Sequence, residues 1–467
     1  MSRLASRDAV ERALAAARCD ECIVIADETS TANLRWAGNT LTTNGVARSR
    51  QLTVIAISRG SGGASAGVVS RAGVTDDQIE TVVAQAEHAA GQGTPDEDAM
   101  PLVDGAGPAA AGAAGWDDPA AGTEIGVFRS FAPALGAAFE SAAAGGRALY
   151  GYAEHAVTTT FLGSSTGLRL RHDQPAGKVE LNAKSADPAS SAWAGAATRD
   201  FTDIDVAALE AGLARQLSWA SHRVELPAGR YETILPPSAV ADLLVYLYWS
   251  AGAKDAMDGR TVFSKAGGGT RIGEQLAQFP LTLRSDPAEP GQQCAPFVIS
   301  RASGRGSSVF DNGLPLAATD WISTGELAAL TQTRASAQRG GRPATPAIGN
   351  LSAAVPGPGA SLADMIASTD RGLLLTCLWY IREVDAQSLL LTGLTRDGVY
   401  LIEKGEVTGA VNNFRFNESP VALLDRVTQA GATTAALPRE WSDYFTRAAM
   451  PPMRVENFNM SSVSQAS

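Results

Sequence analysis

The chain has 467 residues, 45% hydrophobic, 19% charged and 6% aromatic, and 38 Lys and Arg stand against 49 Asp and Glu, a net charge of −11. The length predicts two or three domains, because single cores stop growing at about 250–300 residues, and the apolar fraction excludes global disorder. An acidic chain repels phosphate backbones, and no basic patch interrupts the acidity, so nucleic acid is not an expected partner.

Arg3, Arg7, Asp8, Glu11 and Arg12 break up the apolar positions at the start of the sequence, so it does not read as a secretory signal. Residues 6–18 suit a short helix with Ser6 as N-cap, and Cys22–Ala26 and Leu52–Ile57 are β-branched runs of strand length. Thr75-Asp76-Asp77-Gln78 is a capping-box pattern, and Ile79, Val82, Val83 and Ala86 behind it predict an amphipathic helix over 76–91. Residues 104–122 are small and Gly-interrupted, which predicts a surface loop. Strand-like segments follow at 148–161, 167–172 and 178–184. A helix over 205–217 carries Val206, Leu209, Leu213 and Leu217 on one stripe.

The texture changes near 220–228. The predicted helix 238–250 is apolar on all sides (Val240, Leu243, Leu244, Val245, Leu247, Trp249), which implies burial. Gly- and Pro-rich loops follow, then dense strands from 373 to 416, where Val399–Glu403 and Glu406–Ala410 flank a hairpin turn at Lys404-Gly405. The expected fold class is α+β: a mixed α/β N-terminal domain over 1–222, with a flexible loop at about 104–122, and a β-rich C-terminal domain over 223–467. Leu243–Trp249 and Leu373–Leu378 fall short of the ~20 residues a membrane span needs, so no membrane is expected. The expectation is a cytoplasmic protein with reduced cysteines, in which the sequons at Asn350 and Asn459 carry no weight.

Candidate chemistry is sparse. Cys19-Asp20-Glu21-Cys22 is a C-x-x-C, but a redox pair needs it after a strand at a helix N-terminus, and here helix precedes and strand follows. Asp20 and Glu21 would also raise a neighbouring thiol pKa, and zinc would need a second ligand pair. A helix-to-strand turn is the better reading. Gly163-Ser164-Ser165-Thr166-Gly167 fits G-x-S-x-G, yet the alternating Leu168-Arg169-Leu170-Arg171 behind it makes it a hairpin turn rather than a nucleophile elbow. The Gly267–Gly273 cluster is no P-loop and reads as a flexible entry to a helix over Ile272–Leu276. The four histidines, His88, His155, His172 and His222, are too far apart to form a helical zinc motif, which needs two His one turn apart with a Glu as base. His88 falls on the exposed flank of the 76–91 helix.

The C-terminal half resembles the TldD/PmbA (TldD/TldE) family of peptidase-related proteins. The resemblance rests on Phe310-Asp311-Asn312-Gly313-Leu314-Pro315, Trp321-Ile322, Leu327–Thr331, Asn350-Leu351, Pro356–Gly359 and Asp364-Met365-Ile366. It continues through Ser368–Leu374, Trp379–Asp385, Leu391-Thr392-Gly393, Gly398–Val407 and Asn412-Asn413-Phe414-Arg415. Their order and spacing over about 230–467 carry the likeness. The Ser165–Gly167 hairpin agrees more loosely.

The resemblance implies two kinds of subunit, one with a zinc-binding HExxxH helix and a later Cys, the other with the same fold and no such motif. The two pair as a heterodimeric peptidase acting on peptides or unfolded segments. The matching helix here is 238–250, placed by Gly259–Ser264, and the motif positions fall at about Leu244, Val245 and Trp249, none of which ligates zinc. No Cys follows Cys377. The resemblance therefore implies the PmbA/TldE-like subunit, without cofactor, metal or catalytic residues of its own, partnered by a TldD-like zinc-bearing paralogue and an extended peptide substrate. Strand addition at a sheet edge is the expected mode of peptide binding. Arg371, Tyr380, Arg382, Asp385, Asn412 and Arg415 are the candidate substrate- or partner-binding residues, beside the reading that several are structural ion pairs or turn residues. Two alternatives stand beside this one: a stand-alone peptidase using Cys294 or Cys377 with acidic residues at a non-standard site, and a non-enzymatic peptide-binding or assembly module, for instance a homodimer. Cys377 in its apolar run reads first as an inert core thiol.

Overall fold

The computed structural model describes residues 4–105, 115–185, 190–396 and 398–464. In chain order the first elements are α1 (Ser6–Ala16), β1 (Glu21–Trp36), β2 (Leu41–Gly60), β3 (Gly63–Ala72), α2 (Ile79–Gln92), α3 (Phe131–Ala144), β4 (Arg147–Ser164), β5 (Arg169–Ser185), β6 (Ser191–Thr198) and α4 (Val206–Trp219). β1–β6 form an antiparallel sheet in the order β3-β2-β1-β4-β5-β6. Its strands run well beyond the short apolar runs that predict them. β1 continues past Ala26 through Asp27-Glu28-Thr29-Ser30-Thr31, paired throughout with β2 and β4. The polar half of such a strand still satisfies its backbone in the ladder and needs no hydrophobic run.

Three packing clusters explain this sheet. Val24, Val54 and Phe161 pack under α1 and α2 through Val10, Ala13, Val82 and Val83. Leu34, Trp36, Leu149, Val179 and Leu181 pack under α3 and α4 through Phe131, Leu135, Val206 and Leu213. The opposite side of the first half is sealed from far along the chain: Ile23, Ile25, Ile55, Ile57, Leu168 and Leu170 pack against Phe297, Val309 and Phe310.

From residue 223 on come β7 (Arg223–Val224), β8 (Gly229–Leu235), α5 (Pro237–Trp249), α6 (Ala253–Met257), β9 (Thr282–Ser285), β10 (Thr319–Ser323), β11 (Glu326–Leu327), α7 (Arg334–Gly340), β12 (Leu351–Ala354) and α8 (Leu362–Ala367). They are followed by β13 (Arg371–Leu375), β14 (Trp379–Asp385), β15 (Leu390–Leu394), β16 (Val399–Glu403), β17 (Glu406–Val411), β18 (Phe414–Glu418), α9 (Pro420–Leu424), β19 (Val427–Ala430), β20 (Thr434–Ala436), β21 (Ala448–Met450) and β22 (Met453–Val463). A six-stranded sheet has the order β11-β10-β9-β12-β21-β20. A ten-stranded sheet runs β14-β15-β18-β22-β8-β13-β16-β17-β7, with β19 on β22. The fold is α+β, as expected. α5 lies in the core shared by these two sheets, with Leu243, Leu244, Val245 and Leu247 no more than 2% exposed.

Local readings fare unevenly. The β16–β17 hairpin turns at Lys404 and Gly405 with φ of +53° and +81°, the pair of positive angles a tight two-residue hairpin requires. The Thr75–Gln78 capping box forms, and Gly163–Gly167 is the β4–β5 turn. Ser6 does not cap α1: Ala5 is the N-cap, and the Ser6 hydroxyl donates instead to Glu28 at 3.0 Å. No helix forms over 272–276. Gly267, Gly268, Gly269 and Gly273 all take positive φ, and Gly273 and Leu276 are tied by backbone bonds to Leu327 and Gly325. Of the loop read over 104–122, residues 106–114 lie outside the described residues, and the rest holds no helix or strand. Among the described residues, no helix is long and apolar enough to cross a membrane.

Candidate functional site

α5 starts on Pro236-Pro237, where a missing N–H and a fixed φ suit a first turn, and runs through an almost unbroken apolar sequence. One charged side chain interrupts it. Asp242 is 1% exposed, its Oδ1 accepts from the backbone N–H of Glu440 at 2.9 Å, and its Oδ2 has no partner. Burial pushes its carboxyl well above the usual range, and the neighbouring Glu440 and Glu180 carboxylates act in the same direction, against the nearby Arg439. The Trp441 indole N–H donates to the Asp242 carbonyl at 2.8 Å, so the 439–443 segment is clamped to the middle of α5.

That segment also reaches the first sheet. Ser442 donates to Glu180 on β5 at 3.0 Å, Trp193 on β6 donates to the other Glu180 oxygen at 3.1 Å, and Lys178 on β5 pairs with Asp443. Arg439 lies between the rings of Trp379 and Trp193, at 4.8 and 5.4 Å, with Nη1 against the Cys377 sulfur. Burial lowers the guanidinium pKa, opposed by Asp242, Glu180 and Glu440. Side chains distant in sequence thus meet between the first sheet and α5, a setting that locks a charged network in place.

The Glu440 carboxylate faces outward from this network onto β14. It accepts from the N–H groups of Tyr380 at 3.0 Å and Ile381 at 3.1 Å and pairs with Arg382 at 3.3 Å. Tyr380 takes φ +56°, is 57% exposed and lies under the Arg382 guanidinium at 5.3 Å. Two of the six residues singled out from sequence are therefore side by side at the rim of β14, an edge strand of the large sheet. Asp385 ends the same strand, and the other three lie apart. Arg371 makes a 3.9 Å pair with Glu403; Asp385 accepts from the Ser388 N–H at 2.9 Å and from its hydroxyl, which holds its carboxyl below the usual range. Asn412 accepts from Leu226 N–H at 2.7 Å, and Arg415 reaches Thr392 at 3.4 Å.

A zinc ion does not fit the chemistry present on α5. Leu244 and Val245 offer hydrocarbon turned into the core, and the Trp249 indole has no free lone pair for a metal. Among the described residues, no group of three or more His, Cys, Asp or Glu side chains comes together as a ligand set. The Cys19–Cys22 turn is a helix-to-strand connection between α1 and β1, but the expectation that its acidic neighbours would raise the thiol pKa is corrected. The neighbouring Cys22 thiol brings Cys19 down to about 7, while Cys22 itself is pushed up.

Residues 228–462 match the model of the PmbA/TldA metallopeptidase C-terminal domain, half of the chain. The chain belongs to the PmbA/TldD family. Its fold is similar to that of TldE from Thermococcus kodakarensis, with a TM-score of 0.77, 16% identity, and 97% of this chain and 98% of that one covered. A proposed modulator of DNA gyrase from Thermotoga maritima aligns with a TM-score of 0.74, 17% identity, and 97% and 99% coverage. Another from Bacteroides thetaiotaomicron gives 0.72, 14%, and 98% of each chain. At these identities the likeness is one of fold. No curated protein matches the chain by sequence.

Asp242, Glu180, Trp193, Arg439 and Glu440 were not among the sequence candidates. Asp242 alone left a signal, as the one acidic residue in an otherwise apolar helix.

Proposed function

We propose that this chain is the non-zinc subunit of a TldD/PmbA-type metallopeptidase, acting in proteolysis or peptide maturation in the cytoplasm. It would pair with a zinc-bearing paralogue and help hold an extended peptide. The observation that carries the reading is α5: where the zinc-binding relatives are expected to carry HExxxH, this chain has Leu244, Val245 and Trp249, the first two at most 1% exposed. A helix freed from metal binding can be packed as core, and this one is at Leu244 and Val245, while Trp249 at its end is 44% exposed. The reading takes the chain as two domains divided at 222/223, with Tyr380 and Arg382, adjacent and exposed on edge strand β14, as the contact residues. An extended segment added along β14 beyond Tyr380 and Ile381, whose N–H groups already donate to Glu440, would gain main-chain hydrogen bonds that accept many sequences.

A stand-alone peptidase has weaker support. Cys377 is 3% exposed, and burial raises the Cys294 thiol pKa, which leaves less thiolate for attack. Co-expression with a HExxxH-bearing paralogue tests the proposal. A stable heterodimer, with zinc and peptidase activity present in the pair and absent from this chain alone, is the expected result. Stoichiometric zinc in the isolated chain, or no association, overturns it.

A further inference from the structure

The C-terminal end of α5 opens onto a cleft of about 340 Å³ that the zinc-free reading leaves without a role. Tyr248, Trp249 and Phe445, whose rings pack together, line it with Phe297, Ile299 and Leu316. Two charged side chains line it, Asp311 and Arg447. Asp311 is neutralised: Arg334 Nε donates to it at 2.7 Å and the Arg334 N–H at 3.0 Å. Arg447 is not. Its Nε donates to the Gly349 carbonyl at 2.8 Å, and among the described residues it has no carboxylate partner.

Arg447 also lines a second cleft of about 370 Å³, whose other charged residues are Arg199, Asp203 and Glu289, whereas Asp311 is the one carboxylate lining the first. His172 nearby is kept low in pKa by burial first, and then by Arg447 and Arg199. The guanidinium itself is depressed by burial, opposed by the Cys294 thiol alone. Gly349 makes the approach open. A Cβ there would meet Arg447 Nη2 at 3.4 Å and the Cys294 sulfur at 3.6 Å, which would narrow the floor beside the guanidinium fork. A partly buried cation in an apolar cleft is uncompensated until an anion arrives, and a carboxylate matches the guanidinium fork in a bidentate pair.

We propose that this cleft binds a peptide carboxylate attached to an apolar residue, with Arg447 taking the carboxylate and the walls at Trp249, Phe297 and Phe445 taking the side chain. That the ligand is a peptide rests on the proposed function above. The carboxylate can be a chain terminus or an acidic side chain next to an apolar one, and the test separates them. Three fluorescein-labelled hexapeptides are titrated into this chain alone and followed by anisotropy: one ending in Phe as the free acid, the same peptide as the C-terminal amide, and an amide with Glu beside the Phe.

The free acid is expected to bind at least tenfold more tightly than the plain amide. If the Glu-bearing amide recovers the affinity, the side-chain source is sufficient. In Arg447→Gln the acid and the amide should bind alike, while amide binding matches the unchanged protein, a pattern that loss of fold would not give. Equal affinities of acid and plain amide in the unchanged protein, or binding of none of the three, would overturn the inference. Pairing with the paralogue is decided by its own assay, so the two readings fail separately.

Discussion

Asp242→Asn makes the buried carboxyl of α5 measurable. In the unfolded chain an aspartate ionises near its ordinary value of 3.8, whereas burial raises the folded group well above that. Between the two values the unfolded state has released a proton that the folded state keeps, so stability must fall as pH rises. The slope is about 1.4 kcal/mol per pH unit for as long as Asp242 stays protonated. Asparagine has nearly the same shape, can still accept from the Glu440 N–H, and has no proton to lose. The variant should therefore gain on the parent as pH rises above the unfolded-state value, for as long as the folded carboxyl keeps its proton. Glu440, Glu180 and Arg439 are the charged groups facing this carboxyl, and they are the same in both proteins. Paired thermal scans of the two proteins at pH 4, 5, 6 and 7 supply the measurement. A stability difference that does not change with pH would show that the carboxyl titrates normally, and the reasoning would fail.

Three other outcomes can be checked in the same protein. Leu244→Ala should cost about 2–5 kcal/mol in urea unfolding, because the site is 1% exposed and enclosed by core, and a loss below 1 kcal/mol would contradict that placement. Arg334→Ala should cost about 3–5 kcal/mol by stranding the Asp311 carboxylate, itself 2% exposed, and a neutral result in the same assay would refute the buried pair. Alkylation of Cys19 by iodoacetamide should rise with a midpoint near pH 7, two units below an ordinary thiol at 9.0, when followed by peptide mass spectrometry; a midpoint at 9 would refute the influence of Cys22 on this thiol.

What the sequence disclosed was mainly local. The Lys404-Gly405 turn needs two positive φ values at adjacent residues, and the Thr75–Gln78 box needs atoms only three residues apart, so both can be read from a short window. The burial of most of α5 was legible because an all-round apolar helix has no solvent face to offer, but Trp249, read as part of that buried helix, is 44% exposed at its end. The junction around Arg439 was not, since it joins residues 180, 193, 242, 377 and 439, and no periodicity links positions so far apart. Glycines at 267–273 misled for a related reason: they suggested a helix entry, while tertiary contacts with 325 and 327 fixed a different path. Tyr380 and Arg382 were picked as polar positions in a strand block, but their common partner, Glu440, comes from a segment that carried no motif.

The seal that Phe297, Val309 and Phe310 place over Ile23, Ile55 and Leu170 bears on how this protein can be cut, swapped or inherited. A fragment ending before the second set of sheets would leave a contiguous greasy face exposed to solvent, and such faces drive aggregation. Neither half can therefore be exchanged for that of a distant relative without also matching the other side of this seam. Substitutions on the two sides are expected to accumulate in step, so that the front of the molecule records the history of the back.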